Sequence, residues 1–190
     1  MPELLLSLKA DTQHEHQLLE DRLDLFNRVT DLASYRRLLE SFYTLYAPLE
    51  DALAGAVNWT DLGWDFEASR KTPWLLQDLL SLGADPAGLD TFPRCQDLPL
   101  LSSASHAVGC LYVLEGSTLG GQLITKRFSS TLGTTPDHGG RFFSGYGAAT
   151  VSHWRAFGEW VRSVEDQLDK AEATTAAKAV FVRFDQWLNR

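Results

Sequence analysis

The stretch Leu111–Phe128, LYVLEGSTLGGQLITKRF, reads as one helix that carries glycines at its middle. Gly116 and Gly120 are four residues apart and share a face, with Gly121 beside them. Each glycine inside a helix costs about 1 kcal/mol relative to alanine, so the run costs on the order of 2–3 kcal/mol. Ser117 and Thr118 weaken the helix further, because their hydroxyls compete for backbone hydrogen bonds. A chain that keeps such a segment must fold so that something uses the bare backbone. Two uses are available: close approach of another helix, or close approach of a flat ligand over which the helix bends.

The remaining segments are helical in pattern. From Glu3 to about Leu25, Leu5, Leu8, Leu19 and Leu23 fall on one stripe, with Thr12 and His16 filling its gap. Ser7, Asp11, His14, Gln17 and Asp21 take the opposite face. After a break at Asn27–Asp31, Thr30 or Asp31 is placed to cap a long second helix. Its stripe runs Leu32, Tyr35, Leu38, Leu39, Phe42, Leu45, Tyr46, Leu49, Leu53, and Pro48 should bend it. Gly55–Thr72 reads as an irregular connection, Pro73 opens a short helix over Trp74–Leu82, and Gly83 closes it. Pro86, Gly88, Pro93 and Pro99 mark a second irregular stretch before a helix from about Leu100. A glycine-rich loop, Gly133–Gly147, precedes two last helices, Thr150–Leu168 and Ala173–Leu188. No strand alternation or internal repeat interrupts this pattern, which predicts one all-α domain over residues 1–190 with roughly six to eight helices.

The chain has 190 residues and a net charge of −8, with no cluster of Lys or Arg resembling a nucleic-acid footprint. Nucleic acid and anionic membrane are therefore disfavoured as partners. No apolar run approaches the ~20 residues of a membrane span, and MPELLLSLKADTQ lacks the basic and long apolar regions of a signal peptide. Two cysteines, Cys95 and Cys110, without metal-ligand spacing fit a reducing, cytoplasmic setting.

His16 is the most informative single residue. It sits on the apolar stripe of the first helix, and Glu20 follows at i+4, within reach of one imidazole nitrogen. Such a carboxylate fixes the tautomer and raises the basicity of the other nitrogen, as it does beside metal-binding histidines. A buried histidine satisfied within its own helix has the same pattern. No helix shows the paired Glu/His spacing of a hydrolytic zinc or di-iron site, whereas a single histidine suits haem iron, which brings its other ligands with it.

LKADTQHEHQLLE (Leu8–Glu20) resembles the proximal helix of the heme oxygenases, where a Thr precedes the iron-binding His by four and a Glu follows by four. SFYTLYAPLED (Ser41–Asp51) is similar to the family's second helix, with a tyrosine at the place of Tyr46. YVLEGSTLGGQ (Tyr112–Gln122) resembles the distal helix, most closely in the bacterial branch whose members often accompany phytochromes. The resemblance implies a heme-oxygenase-like helical bundle with haem between a proximal and a kinked distal helix. His16 is then the iron ligand, and Gly116, Ser117 and Gly120 lie on the oxygen side as catalytic positions. Lys9, Glu20, Tyr46, Gly121, Arg155, Phe181 and Phe184 fall at positions that bind the cofactor. Lys9 and Arg155 match cations that meet haem propionates, or else are solvated surface charges. Phe181 and Phe184 pack beside haem or serve as plain core, and Tyr46 orders pocket water or fills space.

The implied reaction opens haem at a meso carbon with O2 and electrons to give biliverdin, CO and ferrous iron, so haem is both substrate and cofactor. The electrons come from an external donor, a ferredoxin or a flavin reductase, and a phytochrome is an implied recipient of biliverdin; the expected state is a monomer. One departure stands out: mammalian members carry an Asp directly after the first distal glycine, where this chain has Ser117. Two other functions share the pattern, a haem carrier or sensor without turnover and a related helical domain that binds no haem.

Overall fold

A computed structural model describes residues 2–89 and 91–190, with Met1 and Asp90 outside the described residues. Its elements are α1 (Glu3–Asp11), α2 (Gln13–Leu23), α3 (Leu25–Arg28), α4 (Leu32–Ala56), α5 (Phe66–Ser69), α6 (Thr72–Ser81), α7 (Pro86–Leu89), α8 (Ala104–Leu132), α9 (Arg141–Ser144), α10 (Thr150–Val164) and α11 (Lys170–Leu188). Short 3-10 turns flank α10 at Gly147–Ala149 and Glu165–Gln167. Among the described residues there is no strand, only isolated bridges from Thr135 to His138 and Gly139. The buried apolar side chains form one connected core.

Side-chain caps open α4, α5, α8 and α11. Asp31 accepts from Ser34 N–H and Ser34 Oγ accepts from Asp31 N–H, a reciprocal box that opens α4. Ser103 caps α8 and Asp169 caps α11, so α8 starts later and α11 earlier than the apolar pattern alone suggests. Helix α4 passes through Pro48 unbroken. The ring leaves the Thr44 carbonyl without its helical donor, and Cys95 N–H donates to it at 3.0 Å. The α4 stripe is buried as expected from Tyr35 to Leu53, except that Leu32, in the first turn, is exposed.

Two features differ from the sequence reading, whereas α8 keeps the single helix that it expects over the glycine run. The first helix is two, because Thr12 turns its hydroxyl onto the Leu8 carbonyl (2.7 Å) and leaves helical geometry between α1 and α2. The irregular stretches hold single turns, α5, α7 and α9, with Asp65 capping α5. Helix α8 runs without interruption through Gly116, Gly120 and Gly121.

Helix α8 is the spine, packing against α11 most extensively and also against α4, α9 and α10. Its approach to α11 is possible because Gly109 has no side chain; a Cβ there would overlap the Ala173 carbonyl. Helix α9 is held from α6 by Asp78, whose carboxylate accepts from Arg141 N–H (2.8 Å) and Phe142 N–H (2.7 Å). Ser81 Oγ accepts from Gly139 N–H at 2.9 Å, and Tyr35 donates to the Gly139 carbonyl at 2.5 Å.

Gly109→Ala is expected to destabilise the protein by about 1–3 kcal/mol, since only backbone can move to relieve the overlap. Gly55→Ala, in α4 with nothing within 4 Å of its Cβ, should stabilise by up to about 1 kcal/mol. Urea denaturation of both variants checks the opposite signs. Burial pushes the Asp78 carboxyl up to about 6, against the pull of the two N–H groups and Arg141. A native pKa above the unfolded value of 3.8 gives a stabilising contribution that is complete below that value and lost as pH rises through about 6. The Asp78 carboxyl carbon should therefore titrate near 6 by NMR, and wild type should lose stability relative to Asp78→Asn across that window.

Candidate active site

Helices α2 and α8 both lie on α11 rather than chiefly on each other, so α11 floors the gap between them, which we take as the candidate cleft. The floor carries Phe181 and Phe184, both buried. At the α1–α2 junction Tyr112, from α8, lies beside the Thr12 hydroxyl.

On the α2 side His16 stands with its side chain 55% exposed, Nε2 3.2 Å from Glu20 Oε1 and its ring 5.2 Å from that of Phe181. The sequence reading placed His16 on a buried stripe; Leu5, Leu8, Thr12 and Leu23 of that stripe are buried, but His16 is not. The physical reason is that α2 packs mainly on α11, so the face beyond Phe181 opens to the cleft. The pairing with Glu20 is present as expected, and it engages one imidazole nitrogen while leaving the other turned to no protein group among the described residues. His14 is exposed as well, on the polar face.

The three glycines of the 116–121 run of α8 divide between the two uses that the sequence left open. Gly121 serves packing: a Cβ there would overlap the Phe143 carbonyl of α9, so it faces the core rather than the cleft. Gly116 lies against Trp154 of α10, with a Cβ position 3.7 Å from the indole. Gly120 is exposed, and its Cβ position meets nothing within 4 Å. Leu123, three residues on and on the same face, is 66% exposed, so this side of α8 is apolar and bare.

Ser117 is exposed beside Gly120, donating to the Leu114 carbonyl at 2.8 Å, and its Oγ lies 3.4 Å from the hydroxyl of Tyr46. Tyr46 is buried, in ring contact with Phe184 at 5.5 Å and with Phe142 at 5.3 Å. Desolvation raises its phenol far above the ordinary value, so it remains a hydrogen-bond donor throughout the neutral range. Because α8 stays helical through the glycines, their N–H groups are committed to the preceding turn, and the exposed hydroxyl beside them is that of Ser117, backed by buried Tyr46.

Lys9, in the last turn of α1, and Arg155, on α10, are both exposed, with no ion-pair partner among the described residues. Helices α1 and α10 pack together, which brings the two cations to neighbouring elements.

Behind α8 lies a cluster that sequence reasoning missed. Glu115 accepts from Lys71 Nζ, from Tyr146 OH (3.1 Å to each carboxylate oxygen) and from His153 Nε2 (2.9 Å). Its neighbours come from three separate segments, and no local spacing connects residues 71, 115, 146 and 153. The one signal was an acidic residue inside an otherwise apolar helix, directly before the first glycine. The Lys71 and His153 bonds hold the Glu115 carboxyl below its ordinary value despite its burial.

Among the described residues no group of three or more His, Cys, Asp or Glu side chains converges as a metal cage. One half-exposed imidazole, an aromatic floor and an opposing helix face stripped of side chains instead fit a flat, largely apolar group that carries its own metal ligands.

The heme oxygenase family profile matches residues 2–190. Among solved structures the chain is similar to the heme oxygenase of Neisseria meningitidis, crystallised in NO- and CO-bound forms, with a TM-score of 0.76 and 25% identity over 97% of this chain and 89% of that one. It has the fold of the heme oxygenase from Leptospira interrogans, with a TM-score of 0.71 and 19% identity over 98% of each chain. No curated protein sequence matches it.

Proposed function

The chain belongs to the heme oxygenase family, whose defining activity is cleavage of haem to biliverdin, CO and iron, and we propose that it carries out that reaction in the cleft between α2 and α8. The observation that carries the assignment of the site is the chain of contacts through α11: His16, paired to Glu20, lies beside Phe181, and Phe184 of the same helix meets Tyr46, whose hydroxyl reaches Ser117 on the bare face of α8. When bound, haem supplies both the iron that activates dioxygen and the meso carbon that is oxidised.

The chain supplies position and polarity. The imidazole nitrogen of His16 that Glu20 leaves available binds the iron, and the Glu20 carboxylate fixes the tautomer and keeps that nitrogen basic. Phe181 and Phe184 support the ring plane by apolar contact. Gly120 keeps the opposite face clear, and the Tyr46–Ser117 hydroxyl pair holds a proton or a water at Ser117 Oγ without placing a charge there. Lys9 and Arg155 meet the propionates at the cleft mouth, where unpaired carboxylates would be costly to bury. Residues 1–190 act as one domain and a monomer. The resemblance to the phytochrome-associated branch supports a cytoplasmic enzyme with a ferredoxin or flavin reductase as electron donor and a phytochrome as recipient of biliverdin.

Hemin added to the purified protein should give a one-to-one complex with a Soret band, lost in air after ascorbate or reduced ferredoxin as a broad biliverdin band rises. A Soret band that survives reduction would overturn the enzymatic reading. His16→Ala should weaken hemin binding by about tenfold or more and abolish ring opening, Glu20→Gln should cost about tenfold, and His14→Ala should leave both nearly intact. Damage from the His14 change instead would place the ligand wrongly. Gly120→Leu should fold normally, since open space receives the side chain, yet lose about tenfold or more in turnover through crowding of the oxygen side. CO and dioxygen binding by that variant measure the crowding directly.

A further inference from the structure

We propose that Glu115 is a positioning residue for this reaction: its buried bonds to Lys71, Tyr146 and His153 fix the rotation of α8 about its axis where the glycines leave the helix without side-chain anchors. The inference rests on haem occupying the α2–α8 cleft. Glu115 faces away from that cleft. At about 100° per residue, Ser117 lies about 200° and Gly120 about 140° around the helix from it, so the two cleft-facing positions sit opposite the carboxylate.

The anchor is built from three independent segments. Lys71, at the entry to α6, also donates to the Ser69 carbonyl (2.6 Å), and its own N–H donates to the buried Glu50 Oε1 (2.6 Å). Tyr146 follows the Gly145 turn that packs on Thr118, and it stacks on His153 of α10 with ring centroids 3.6 Å apart. Glu115 and Lys71 have side chains 0% and 2% exposed, so neither charge has water as an alternative partner. On α8 itself, Gly116 and Gly120 have no side chain to pack, and the hydroxyls of Ser117 and Thr118 donate to carbonyls of the preceding turn. Between Leu114 and Gly121 the Glu115 carboxylate is therefore the polar tie that joins α8 to its neighbours on the buried side.

The geometry sets the size of the effect. The α8 backbone lies about 2.3 Å from the helix axis, so a rotation of about 25° moves the Gly120 backbone by about 1 Å. A displacement of that size at a reacting centre is enough to cost up to about 100-fold in rate.

Two variants test this. Glu115→Gln keeps the shape and removes the charge; the double variant Lys71→Met with Glu115→Leu removes both charges and refills the volume with apolar groups, which buried pairs generally tolerate. Both should bind hemin within about twofold of wild type, lose about tenfold in turnover at saturating hemin, and shift the C–O stretching frequency of the ferrous CO complex. The double variant should do so with an unchanged melting temperature, and it decides the matter whether or not Glu115→Gln folds. Wild-type turnover and C–O frequency in the double variant would overturn the proposal, as would lost turnover at an unchanged C–O frequency, which would put the defect away from the oxygen side. Failure of the wild type itself to bind hemin would refute the haem reading rather than the role of Glu115.

Discussion

Close backbone contact along α8 is the constraint on which the rest of the structure depends. At Gly109 the helix meets the Ala173 carbonyl of α11, and at Gly121 it meets the Phe143 carbonyl of α9. Each glycine costs about 1 kcal/mol of helix propensity, and the neighbours brought in by it return many small dispersion contacts. Once α11 is seated at Gly109, its Phe181 and Phe184 become a floor beside α8, and α2 can rest on the same helix at the other side. The cleft is thus a by-product of two helices sharing one support.

The two faces of α8 at the glycine run have opposite characters. The cleft side is bare and apolar, with a single hydroxyl that is linked to a buried tyrosine. The other side holds a fully buried carboxylate with a lysine, a tyrosine and a histidine around it. Concentrating charge behind the helix leaves the front free of it. Ser117 fits this division, since a neutral hydroxyl at that position can order a proton donor without adding a charge to the bare face.

Local structure was legible wherever neighbours in sequence are neighbours in space. The α4 stripe, a cap at Thr30 or Asp31, and the i, i+4 approach of Glu20 to His16 all follow from capping and helical spacing. The break at Thr12 was less legible, because a threonine hydroxyl folds back on its own turn in some helices and not in others, depending on what docks beside it. Burial of His16 was misjudged for a related reason: a stripe position is buried only if another element covers it, and α2 has α11 on one side and the cleft on the other.

The sequence by itself determined that the chain is all-helical, where the long α4 begins, and which histidine carries a carboxylate one turn away, since these rest on periodicity, capping and spacing within a few residues. The order of its three motifs was enough to indicate the family. Only the tertiary structure decided which glycine admits backbone and which faces open space, and it alone gathered Lys71, Glu115, Tyr146 and His153 around one buried carboxylate. Those outcomes depend on how distant helices dock, and docking is set by the sum of many weak contacts that no local pattern encodes.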